Sequence, residues 1–291
     1  MFELPPVRLM RVPTNGIHLN CAVAGEGPLL LMLHGFPEFW GTWYRQIPVL
    51  ARHFKVVAPD LRGCGDSDKP PKGYDARTLA DDILGLINTF GEGRPARIVA
   101  HDWGGFIAWA LSYLDPDRLD RLSILNSPQP YLYRQKVMTT TQLFKSLYVL
   151  FFSMPVLPDW FLRYNDGGGI ETVFYCAAYR PAALSKQYIA VAKAEMLKPK
   201  AIHCGLEYYR VTTFSGKKNI EFMSGVTNVP IQIIWGANDP ALGVGLLDGL
   251  ENYASHLLVH KLPKVGHWVN HEAPEDVNRL LLEWQLPEHA P

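Results

Sequence analysis

Between Arg97 and Leu111 an apolar, strand-like run (Arg97-Ile98-Val99-Ala100) gives way to an apolar, helix-like run (Phe106-Ile107-Ala108-Trp109-Ala110-Leu111). The join is His101-Asp102-Trp103-Gly104-Gly105. Small residues at Ala100 and Gly104 let the two backbones approach closely, so the residue between them sits on a strained turn with its side chain pushed into a cleft. That residue is Asp102. Asp before an apolar helix is also a common N-cap, so the rest of the chain must decide between the two readings. A serine here would imply acyl transfer. A carboxylate needs no deprotonation and can attack an sp3 carbon directly, leaving an alkyl ester that water must hydrolyse. Such chemistry suits epoxides and alkyl halides better than esters or peptides.

Near-continuous apolar runs at 17–23, 29–33, 54–58, 98–100 and 122–125 alternate with helical stretches expected at 43–53, 75–91 and 105–115. Leu79, Ile83, Leu86, Ile87 and Phe90 form the clearest helical stripe. Apolar strands separated by helices predict a mostly parallel sheet covered on both faces. After Asn126-Ser127-Pro128 the chain becomes rich in Tyr, Phe, Met and Ala and poor in strand punctuation, then returns to strand runs at 230–236 and 257–262. The expected organisation is a core from residues 1–128 and 226–291, with 129–225 inserted as a helical cap. Gly167-Gly168-Gly169 reads as a turn within that cap.

The 291 residues are 48% hydrophobic, enough for one substantial core. With 28 basic and 28 acidic residues and no basic tract, nucleic acid and acidic membrane surfaces are not expected partners. The N-terminal stretch has no basic segment followed by an apolar run, and the apolar window 143–157 is too short to span a bilayer, so a cytoplasmic location is expected. Cys21, Cys64, Cys176 and Cys204 lie far apart and form no zinc-type spacing; they read as reduced, structural thiols.

In an open parallel sheet, reactive groups gather where strands end. His34-Gly35-Phe36-Pro37-Glu38 follows one strand, and the backbone N–H groups of Phe36 and Trp103 are candidates to hold an oxyanion. Asp239, after the strand ending at Gly236, is a candidate to orient a histidine. Of the ten histidines, His267 is the first to follow both Asp239 and the last strand, which makes it the candidate base for activating water. A turn at Gly35-Pro37 or Asp239-Pro240 alone would be ordinary loop chemistry. The order Asp102, Asp239, His267, each after its own strand, is much harder to obtain by chance.

Together, His34-Gly35-Phe36-Pro37-Glu38, the segment from Asp60 to Pro70, His101-Asp102-Trp103-Gly104-Gly105 and Gly266-His267-Trp268-Val269 resemble the α/β-hydrolase-fold epoxide hydrolases over essentially the whole chain. The resemblance implies an α/β-hydrolase fold with an inserted cap and hydrolysis of an epoxide to a vicinal diol; neither step of that chemistry needs a metal or cofactor, and the cap's abundance of Phe, Tyr, Leu and Met predicts a hydrophobic substrate. It places two proton-donating tyrosines at Tyr148 and Tyr209. It also departs from the family pattern, with Leu147 where Trp is usual and Glu207-Tyr208 where Asn-Trp is usual. Phe36, Trp103, Leu147, Phe151 and Trp268 are the expected pocket residues.

Two other readings compete. A haloalkane dehalogenase would use the same Asp102, Asp239 and His267, but commonly takes a second halide donor from an Asn where this chain has Phe36. A non-catalytic ligand-binding protein on the same fold has no need of all three polar residues. His34, His101 and the segment 62–68 read as loop-ordering groups, His271 as a surface or supporting group, and Glu38, Trp40 and Trp43 as pocket or packing residues. A homodimer through cap faces stays open.

Overall fold

A computed structural model describes residues 3–138 and 140–286. Met1 and Phe2 of the N-terminal stretch, and the outer limits of the expected core, lie outside them. The sheet has eight strands, β1 (Arg8–Thr14), β2 (Ile17–Ala24), β3 (Leu29–Leu33), β4 (Lys55–Pro59), β5 (Ala96–His101), β6 (Leu119–Leu125), β7 (Ile231–Gly236) and β8 (Leu257–Leu262). Their order is β1-β2-β4-β3-β5-β6-β7-β8. The β1–β2 and β2–β4 pairs are antiparallel and all the others parallel. β3 and β7 are buried at every position, as strands covered on both faces must be.

β1 is absent from the sequence reading. It is an edge strand whose side chains are mostly exposed or half-buried, so it lacks the continuous apolar run that marks the others. It joins β2 through Asn15-Gly16, both at positive φ, as a tight hairpin requires. The helix expected at 43–53 is also corrected. The chain forms a 3-10 turn at Trp40–Trp43 and a four-residue helix at Ile47–Leu50. Pro48 has no N–H to donate to an earlier turn, so it is tolerated only at a helix start. The helix Ala76–Phe90 follows the expected stripe, and Asp75 caps it by accepting from the Thr78 N–H at 3.1 Å.

Between β6 and β7 the described residues form helices and turns but no strand. The helix Leu157–Ala177 is broken at Tyr164–Gly167, where four residues leave helical geometry, just ahead of the remaining glycines. No helix among the described residues is long and apolar enough to cross a membrane.

β5 runs directly into the helix Trp103–Leu114. The turn is so tight that a Cβ at Gly104 would lie 2.3 Å from the Leu33 backbone oxygen, which belongs to a central strand and cannot give way. Gly104→Ala is therefore expected to cost about 1–3 kcal/mol or more of stability, measurable by denaturant unfolding.

Candidate active site

Asp102 has φ +50° and ψ −118°, a conformation a non-glycine residue holds only where surrounding packing enforces it. The strain aims its carboxylate out of the sheet. One oxygen, Oδ1, accepts the Phe36 N–H at 2.9 Å, and the other, Oδ2, lies 3.6 Å from His267 Nε2. The Asp102 side chain makes no cap bond to its helix, so the N-cap reading does not describe it. Gly35 is needed beside it, since a Cβ there would come within 2.4 Å of Asp102 Cβ.

His267 presents Nδ1 to Asp239 Oδ2 at 2.8 Å. Asp239 is fully enclosed: Oδ1 accepts the Ala241 and Leu242 N–H groups at 2.7 and 2.9 Å, and Oδ2 also accepts Asn126 Nδ2 at 2.7 Å. Burial works against this carboxylate, but His267 and the surrounding N–H donors keep its pKa below the ordinary value. Burial likewise opposes the imidazolium of His267. Attraction and hydrogen bonding from Asp239, with a further pull from Asp102, outweigh it and push His267 up to about 9.

Two cavities, about 290 and 330 Å³, adjoin Asp102. Asp102, Tyr148 and Tyr209 line both, so the tyrosines stand where the two arms meet above the carboxylate. Their rings lie 6.3 Å apart, edge to face. Burial, followed for Tyr209 by the charge of Asp102, raises both phenols well above their usual pKa and keeps them protonated as donors. The neighbouring Tyr208 is spent elsewhere, donating to the Arg62 carbonyl at 2.8 Å.

The α/β-hydrolase-fold family model matches residues 28–274. A soluble epoxide hydrolase from Corynebacterium sp. is 30% identical over 284 residues, covering 94% of this chain and 95% of that protein. The chain belongs to the epoxide-hydrolase family of α/β hydrolases. This α/β hydrolase is also 36% identical over 288 residues to the AB hydrolase superfamily protein YfhM of Bacillus subtilis, covering 96% and 98% of the two chains. A solved epoxide hydrolase variant from Bacillus megaterium superposes with a TM-score of 0.87 at 29% identity, over 95% of this chain and 99% of its own. Another variant of that enzyme was solved with its product, a naphthyloxy-propane diol.

The hydrolase places the expected pocket residues unevenly. Trp103 lines the smaller cavity, while Phe36, Phe151 and Trp268 line the larger. Leu147 lines neither. It is 51% exposed on the outer face of the helix Leu147–Ser153, one position before the inward-facing Tyr148, so that expectation is corrected. Trp40 and Trp43 also stay out of both cavities and pack in the core under the insertion.

His271 is fully buried and not a surface group. Its Nε2 lies 2.8 Å from Thr42 Oγ1 and 3.7 Å from Glu38 Oε1. Glu38 in turn meets His101 Nδ1 at 2.8 Å, and His101 Nε2 lies 3.0 Å from the His267 carbonyl oxygen. Burial opposes the Glu38 carboxylate, yet His101 and His271 hold its pKa well below the usual range. This enclosed polar layer fixes the backbone beneath His267. His34 bridges loops, with Nε2 accepting the Leu61 N–H at 3.0 Å.

Asn126 escaped the sequence reading. It sits at positive φ just past β6, donating to Asp239 and accepting the Gly236 N–H at 2.8 Å. Its place immediately after a strand is the same signal that selected the other site residues.

Proposed function

We propose that the chain hydrolyses a hydrophobic epoxide to a vicinal diol through a covalent ester on Asp102. The supporting observation is the arrangement of the two carboxylate oxygens. Oδ1 is held by a backbone N–H, while Oδ2 lies beside His267 where two aromatic-walled arms meet beneath paired tyrosines.

In the first step Asp102 Oδ2 bonds to an epoxide carbon. The C–O bond of the ring breaks with its electron pair going to oxygen, and that oxygen takes a proton from Tyr148 or Tyr209. In the second step His267, oriented by Asp239, takes a proton from water as the water oxygen attacks the Asp102 carboxyl carbon. Charge then builds on Oδ1, where the Phe36 and Trp103 N–H groups receive it. The tetrahedral species expels the diol, which carries away the former Oδ2 with the proton of the new Asp102 carboxyl, and the proton held by His267 returns to the tyrosinate, restoring phenol, imidazole and carboxylate. Esterification removes the Asp102 charge, one of the lesser pulls that hold His267 protonated, and so eases its loss of a proton.

Halide release would call for side-chain N–H donors aimed at the leaving anion, and the side chain of Phe36, a residue of the larger cavity's wall, has none to offer. The purified protein is expected to form diol from an aryl epoxide and to release no halide from a bromoalkane. Halide without diol would overturn the reading. Tyr148→Phe and Tyr209→Phe are each expected to slow ester formation by about 10²-fold, the lower end of general-acid contributions, with ester hydrolysis much less affected. Stopped-flow quenching of tryptophan fluorescence separates the two steps.

A further inference from the structure

The walls of both arms are largely apolar, and among the described residues Asp102 is the only one with a carboxylate on either. The larger arm is nevertheless lined in part by Lys145, half-buried at the end of the helix Thr140–Lys145. Its Nζ donates to the backbone carbonyl of Asp239 at 2.9 Å, beside Pro240 and Ala241 of the same wall. An ammonium has three N–H donors, and this bond uses one of them.

No carboxylate among the described residues lies within ion-pair distance of Lys145. The nearby acids are already engaged, Asp239 by His267, Asn126 and two backbone N–H groups, and Asp102 by Phe36 and His267. Elsewhere Lys55, Lys193 and Lys198 each meet a carboxylate at 3.0 Å or less. A partly desolvated cation answered only by a neutral carbonyl costs free energy that an anionic ligand would recover.

We infer that Lys145 anchors a carboxylate on the substrate, so that this site acts on epoxides carrying an acid group on the side that enters the larger arm. The inference rests on the epoxide reading above and adds the substrate class to it. The apolar remainder of the molecule occupies the smaller arm. Arg134, the one cation on that arm among the described residues, is exposed, where water and salt screen it.

The test compares ω-epoxyalkanoates of increasing chain length with their methyl esters, which differ only in charge at the far end. At low salt the acid of best-fitting length is expected to exceed its ester in kcat/KM by about fivefold or more, as a partly buried ion pair of roughly 1 kcal/mol gives. The ratio falls to about one in Lys145→Gln and persists in Lys145→Arg and Arg134→Gln. Because both substrates meet the same preparation, partial misfolding of a variant cancels from the ratio. A wild-type protein indifferent to the charge at every length, or a preference that survives Lys145→Gln, overturns the proposal, as does loss of the preference in Arg134→Gln alone.

Phenylhexanoate and phenylhexanamide, which cannot react, are titrated by calorimetry in parallel. If no epoxide is opened, the reaction reading fails, and tighter binding of the acid that disappears in Lys145→Gln still supports the anchor. Equal binding of acid and amide rejects it.

Discussion

Asp102→Asn is expected to reduce diol formation by about 10⁴-fold or more, the scale on which removal of a covalent nucleophile acts. The amide is neutral and its oxygen is a far weaker nucleophile than the carboxylate Oδ2, while the fold is left nearly unchanged because Asn also tolerates positive φ. The wild-type protein supplies the complementary test. In a single turnover in heavy-oxygen water, label is expected in the Asp102 carboxylate, and the first diol is expected to carry an unlabelled oxygen taken from the enzyme. Label confined to the diol and absent from the peptide containing Asp102 would falsify the ester mechanism. It would instead indicate direct attack by water, with Asp102 acting only through its charge.

His267→Gln is expected to stop the reaction halfway. Ester formation needs Asp102 and the tyrosines, so it persists, while hydrolysis loses its base and slows by about 10³-fold, within the range of general-base contributions. Intact-protein mass spectrometry is expected to find the chain heavier by one whole substrate molecule. A variant that folds but never gains this mass speaks against the assigned division of labour. The pH dependence follows from the same charges. With Asp102 and Asp239 both ionised, His267 is protonated up to about pH 9. Once Asp102 is an ester that pull is reduced, so the hydrolysis step is expected to rise with pH through a midpoint below 9.

The His267 pair also has a consequence for stability. Its folded-state pKa is raised above the ordinary 6.5, so its contribution is fully present below about 6.5 and lost as pH rises through about 9. Asp239→Asn is expected to flatten that part of the stability curve, as read from denaturant midpoints across the interval.

The strained turn at Asp102, the acid Asp239 and the histidine His267 were legible in the chain because each belongs to a local strand-to-loop pattern. A strand needs an apolar run, the turn after it needs small residues, and the polar residue that follows is conspicuous against both. Tyr148 and Tyr209 needed the family resemblance. They sit among 13 tyrosines in helices whose faces are weakly differentiated, and local pattern alone does not separate Tyr209 from Tyr208. The structure separates them by their surroundings, Tyr209 lining both cavities and Tyr208 bonded through its hydroxyl to the Arg62 carbonyl.

Sequence by itself determined the parallel sheet, the helical insertion between β6 and β7, and the strand ends bearing Asp102, Asp239 and His267, because backbone periodicity and turn chemistry act over a few residues. Only the tertiary structure decided which side chains share a wall. It turned Leu147 outward, brought Asn126 to Asp239 across 113 positions, buried Glu38 against His101 and set Lys145 in the larger arm. Those outcomes depend on how helices rotate and pack against the sheet, and the free energy that selects one rotation is spread over many distant contacts.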